Sequence, residues 1–136
     1  MGGGVSGEPI VWIISSEQWP RAMLRAELIE QGYDAVGYPR TDQALIELSR
    51  SPEQKPQIIV LDLNGQEITR ARLCALLGEG IPVVILGGAV ELASPLLAEY
   101  SWAGILRRPF MIRQVVELIK QVGAASCAPG RCGQAP

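Results

Sequence analysis

The chain has 136 residues, 48% of them apolar, and a formal net charge of −2 without a single histidine. That length makes one domain the default, with enough apolar content for a core. The charge balance gives no broad basic footprint for nucleic acid, and the missing histidine excludes His-based triads and leaves any cysteine pair short of a four-ligand zinc site.

Met1-Gly-Gly-Gly lacks the basic region of a secretory signal, and the apolar stretch Ile10–Ile14 is too short for a signal core or a membrane span, so a soluble, cytoplasmic protein is expected. Residues 1–8 hold too little apolar content to join a core and are expected to be disordered. The first apolar run, Ile10–Ile14, reads as a strand that ends at Ser15, Ser16 and Glu17. Leu24 and Leu28 then mark a helix with Pro20 near its start, where a missing N–H costs nothing. A second run, Ala35–Tyr38, precedes a helix carrying Leu45 and Leu48, with Thr41 or Asp42 as its cap. The third run is "IIVLDLNG", residues 58–65, in which unbroken apolar residues lead into Asp62 and an Asn-Gly turn signal. Such a run suits a strand buried on both faces.

Leu73, Leu76 and Leu77 mark the next helix, where Cys74 reads as a buried free thiol. Ile81–Leu86 is the fourth strand, followed by Gly87-Gly88. Ala93, Leu96, Leu97 and Tyr100 recur at i, i+3, i+4, i+7 and predict a fourth helix. Ala103–Leu106 is the fifth strand, ended by Arg107, Arg108 and Pro109, and Ile112, Val115, Val116 and Ile119 form the stripe of a fifth helix. The folded domain is thus expected over 9–122, with 123–136, including Cys127 and Cys132, as a flexible tail or the start of a linker.

Five alternating strand–helix units read as a three-layer α/β fold, a doubly wound five-stranded parallel sheet with helices on both faces. Sites in such sheets form at the carboxyl ends of the strands, which collects Ser15, Ser16, Glu17, Asp62, Gly87, Gly88, Arg107, Arg108 and Pro109. "GGAVE" is not GxGxxG and no P-loop lysine follows, so the glycine pair reads as a sharp turn rather than a nucleotide cradle. Trp12, Trp19 and Trp102 do not alternate with basic residues as a base-stacking platform would. No paired carboxylates lie at the strand ends, so hydrolase or dehydrogenase chemistry has no support and the chain is not expected to be an enzyme beyond any self-catalysed phosphoryl transfer to Asp62.

Three stretches, "VWIISSE", "PQIIVLD" and "GILRRPF", together with the spacing from Ser16 to Gly32-Tyr33, resemble the receiver domains of two-component response regulators over about residues 9–122. The resemblance implies the flavodoxin-like topology with strand order 2-1-3-4-5. It also implies that Asp62 stands at the phosphoacceptor position, that Ser15 and Ser16 replace the acidic pair holding magnesium, and that Gly87 replaces the phosphoryl-binding hydroxyl. Ile105 falls where the switching aromatic ring is expected and Arg108 where the charge-neutralising lysine is, with a cis Arg108–Pro109 bond. The connection after Asp62 is short and lacks the usual proline. Trp102 and Ile105 lie near the face that receivers use to dimerise or dock.

Neutral hydroxyls are weak ligands for magnesium, and Asp62 with so little around it gains little transition-state stabilisation. The expectation is therefore a pseudo-receiver without cofactor, which signals through a protein partner, an output domain or a second copy of itself, with no nucleic acid or membrane bound by this domain. Asp62 either accepts N–H groups of the following turn or pairs with Arg108 in a fork-shaped ion pair. The alternative is a working receiver phosphorylated on Asp62 by a histidine kinase, with magnesium held by Asp62, Glu17 and water.

Overall fold

Five short apolar runs become five parallel strands in the computed structural model, which describes residues 8–126. They are β1 (Ile10–Ile14), β2 (Asp34–Tyr38), β3 (Ile58–Asp62), β4 (Val83–Gly87) and β5 (Gly104–Arg107), in the order β2-β1-β3-β4-β5. The helices are α1 (Gln18–Glu30), α2 (Thr41–Arg50), α3 (Arg70–Leu77), α4 (Ala89–Leu92) and α5 (Ile112–Ser126). The expected flavodoxin-like sheet order is the one observed. β4 starts later than the apolar run because Pro82 has no N–H to give to a ladder.

Every residue of β3 and β4 is buried, as unbroken apolar runs require. Alternate residues of the strands feed two core layers. Ile13, Val60, Val84 and Leu86 pack with Leu24 and Leu28 of α1 and with Val115, Val116 and Ile119 of α5. Ile14, Ile59, Leu61 and Ile85 pack with Ala44 and Leu48 of α2 and with Leu73 and Leu76 of α3 on the other face.

Four expectations are corrected. The stripe Ala93–Tyr100 does not form a helix: α4 stops at Leu92, and after Pro95 only a 3-10 turn, Leu97–Glu99, follows. Proline supplies no N–H and pushes the residue before it out of the helical region, so Pro95 in the middle of the stripe overrides its periodicity. Neither Thr41 nor Asp42 caps α2; Arg40 holds that position, and the Thr41 hydroxyl donates to Gln66 Oε1 at 2.8 Å. Cys74 is exposed and not buried, because Leu73 and Leu76 own the inward stripe of α3 and Cys74 falls outside it. Helix α5 runs past residue 122 to Ser126, while Cys127, Cys132 and the rest of the expected tail lie outside the described residues, as do residues 1–7.

Burial raises the phenol pKa of Tyr33 and Tyr38 above the usual value, and the charges of Glu117 and Glu47 respectively add to it. A phenol with a raised folded-state pKa stabilises the fold below its unfolded pKa of about 10, and that contribution is lost as pH rises through the folded value. Denaturant midpoints measured from pH 8 to about 11.5 should fall more for the wild type than for the Tyr33→Phe/Tyr38→Phe variant. Parallel curves would refute the assignment.

Candidate functional site

Strand β3 delivers Asp62 to the carboxyl edge of the sheet. Val60 belongs to the layer under α1 and α5, so Asp62, two residues on, faces the same side. Its side chain is only 6% exposed. Oδ1 accepts the backbone N–H of Asn64 at 3.1 Å, and Oδ2 accepts Nη2 of Arg108 at 2.6 Å. Both uses expected of this carboxylate are therefore present together. The ion pair is a single contact and not a fork, for Arg108 Nη1 is buried without a hydrogen-bond partner in the protein.

Arg108 arrives from the end of β5. Its backbone N–H donates to Gly87 O at 2.8 Å, its peptide bond to Pro109 is cis, and its guanidinium lies 5.2 Å from the Phe110 ring centre. The hydrogen bond that Arg108 donates to Asp62 raises its pKa further above an already high value; burial opposes this, and the charges of Asp62, Glu91 and Glu17 support it. The cation beside Asp62 is thus permanent at any working pH. Arg107, one residue earlier, is exposed.

Ser15 and Ser16 differ sharply. Ser15 is 3% exposed and its hydroxyl has no partner, whereas Ser16 is exposed and its hydroxyl donates to Asn64 O at 2.9 Å. Glu17, also exposed, accepts Asn64 Nδ2 at 3.3 Å, so the loops after β1 and β3 are tied together through Asn64. Glu91 is a site residue that sequence reasoning missed. Its Oε1 accepts the Gly88 N–H at 2.8 Å and would lie 3.2 Å from a Cβ at Gly87, so a carboxylate borders the space that a residue-87 side chain would enter. A Glu three residues after a helix cap is a recognisable signal for it. Asn64 and Gln66 were missed as well. Gln66 accepts the Thr41 N–H at 2.8 Å and donates to Pro39 O at 2.9 Å, clamping the loop after β2 to that after β3.

The interface candidates separate. Ile105 pairs with Ile85 on the sheet and so faces the α2/α3 side, yet it is 56% exposed because the truncated α4 does not cover it. Trp102 is not a free-standing anchor. Its ring packs half-buried against the second core layer with Nε1 donating to Leu97 O at 2.9 Å.

Solved structures place this geometry. The chain is similar to the receiver domain of NtrX from Brucella abortus (18% identity, 82% of this chain and 96% of that one, TM-score 0.66). It is similar to a response regulator receiver domain protein from Clostridium thermocellum (15%, 84% and 93%, TM-score 0.71) and to a response regulator receiver protein from Burkholderia phymatum (23%, 85% and 94%, TM-score 0.70). The chain has the receiver fold. No protein-family model and no curated protein matches the sequence.

The receiver fold implies magnesium beside the strand-three aspartate, and the residues here do not fit it. Of the three positions that the fold offers, two carry serine hydroxyls, and one oxygen of the remaining carboxylate already holds the Arg108 cation. Hard divalent ions need several oxygen ligands and carboxylate charge, and they are repelled by a neighbouring guanidinium. Among the described residues no cluster of three or more His, Cys, Asp or Glu comes together, and no helix is long and apolar enough to cross a membrane.

Proposed function

We propose that this chain is a cytoplasmic signal-transduction module of the pseudo-receiver kind, which acts by binding a protein partner, an output domain or a second copy of itself, without phosphorylation of Asp62. The observation that carries this reading is the 2.6 Å contact between Asp62 and Arg108. It places a fixed positive group where a receiver would gather metal and phosphoryl group, and it ties the aspartate to one conformation. Ser15, Ser16 and Gly87 support the reading, since they withdraw the groups that would stabilise transfer to Asp62. No bound metal or cofactor is required for such a role. The exposed Ile105, at the uncovered edge of the sheet, is the side chain best placed for a partner.

Incubation with acetyl phosphate and magnesium, followed by intact-mass spectrometry beside Asp62→Ala, tests the proposal. No phosphoryl adduct is expected on either protein while both remain folded by circular dichroism. An adduct on the wild type that disappears in the variant would establish a working receiver and end the pseudo-receiver reading.

A further inference from the structure

Helix α1 turns Leu24 and Leu28 into the core and leaves its opposite face bare. Trp19, Ala22, Ala26 and Ile29 follow one another there at intervals of three, four and three residues, with Met23 beside them. Trp19 is 75% exposed, Met23 50% and Ile29 47%, so a helix that already buries one apolar stripe presents a second one to solvent. These intervals are those of a coiled-coil seam, and an uncovered apolar stripe of this kind marks an interaction surface. The two segments outside the described residues, 1–7 and 127–136, contain no aromatic, leucine or isoleucine residue with which to cover it.

The residues beside the seam decide the occupant. Arg25 borders it on one side and Glu30 on the other, and both are exposed. Among the described residues neither takes part in a salt bridge. Arg25 Nε donates to Ala35 O at 2.8 Å, which leaves its terminal nitrogens for another partner. Glu30 lies five residues after Arg25, the offset at which flanking residues of two parallel helices meet across such a seam. Two copies paired in parallel would thus set Arg25 of each against Glu30 of the other, twice by symmetry. An antiparallel pair would bring the two arginine flanks together. Small Ala22 and Ala26 let the helices approach closely at the centre, with Trp19 and Ile29 filling the two ends. Because α1 is already fixed by its own core, association does not have to order it. A helix of 13 residues keeps the contact below the roughly 1,200 Å² of total burial typical of stable complexes, so the dimer is a weak one.

We propose that α1 is a self-association surface: two copies of this chain pair their α1 helices in parallel about a twofold axis, with Trp19, Ala22, Ala26 and Ile29 in the seam and Arg25 of each copy on Glu30 of the other. This rests on the binding-module reading above and names a second copy as the partner, on the face of the sheet opposite that of Ile105. Acetyl phosphate tests that reading alone, and self-association is measured without it.

Sedimentation equilibrium of the full chain in reducing buffer should show a reversible monomer–dimer equilibrium with a Kd on the order of 100 µM. Ile29→Glu should weaken it about tenfold or more, since a carboxylate enters the seam. Arg25→Glu and Glu30→Arg should each weaken it about fivefold or more, while an equimolar mixture of these two variants should associate as tightly as the wild type, because each contact again joins opposite charges. The altered side chains are all exposed, and circular dichroism checks that the folds persist. A wild type still monomeric at about 500 µM, a dimer that Ile29→Glu leaves intact, or a mixture no tighter than its components would each overturn the proposal. Loss of the dimer in Ile105→Ser would place self-association on the other face and overturn it as well.

Discussion

Arg108→Ala is expected to lower unfolding free energy by about 2 kcal/mol, more than Asp62→Asn. Removing one partner of a buried pair costs about 3–5 kcal/mol when the remaining charge is stranded. The figure is reduced here because the Arg108 side chain is 33% exposed and water screens that end of the pair. The asymmetry follows from burial. Asp62, 6% exposed, would be left with only the Asn64 N–H to meet it, whereas Arg108 left alone can turn to solvent. Asp62→Asn should therefore cost about 1 kcal/mol, and the double variant should recover part of the Arg108→Ala loss, because the stranded charge is gone. Urea denaturation of the four proteins measures this as a coupling energy. Single and double variants that simply add would show that the contact contributes nothing.

Gly65→Ala should cost about 2–3 kcal/mol, for two separable reasons. Gly65 has φ +76°, where a side chain is strained, and its added Cβ would fall on the Ser16 hydroxyl and lie 3.0 Å from Ser16 Cβ. Gly80 supplies the control, with the same φ of +76° and nothing within 4 Å of its would-be Cβ. Gly80→Ala should therefore show the conformational part alone, about 1 kcal/mol. The excess at Gly65 belongs to the loop that carries Asn64 over Asp62, and Ser16→Gly introduced beside Gly65→Ala should remove it. Equal losses at the two glycines, read from thermal melts, would show that the loop yields without cost.

The strands were legible because parallel sheets bury both faces: the runs at Ile58 and Val83 contain little but apolar residues and end at turn signals. The rule that sites form at the carboxyl ends of parallel strands collected Asp62 and Arg108 on one edge of the sheet, at the ends of β3 and β5 with β4 between them. Periodicity misled at Ala93–Tyr100, where four well-spaced apolar side chains outweighed one proline that forbids the helix. Cys74 misled in a related way, since membership of a helix says nothing of which face a residue takes until the inward stripe is counted. The contacts of Gln66 with Thr41 and of Asn64 with Glu17 join residues far apart in sequence, and amide side chains carry no local pattern that announces such partners. Only one arm of the Asp62–Arg108 pair forms, and that depends on the angle at which Arg108 leaves β5, which spacing does not encode.

The interrupted fourth helix bears on how the molecule opens. From Ser94 to Tyr100 the backbone bonds span three residues instead of four: Leu97 to Ser94, Ala98 to Pro95, Glu99 to Leu96 and Tyr100 to Leu97. Each such bond is poorer in geometry and none is propagated into a longer ladder. The segment is held by buried Leu97, by the Trp102 indole, and by Glu99 and Tyr100, which meet Arg70 and Cys74 of α3; exposed pairs of that last kind add little stability. It is therefore the part of the sheet's α2/α3 face that can detach at low cost without unfolding the strands beneath it. A protein that docks over Ile105 would meet a border it must first immobilise, and the entropy lost in doing so is subtracted from its affinity.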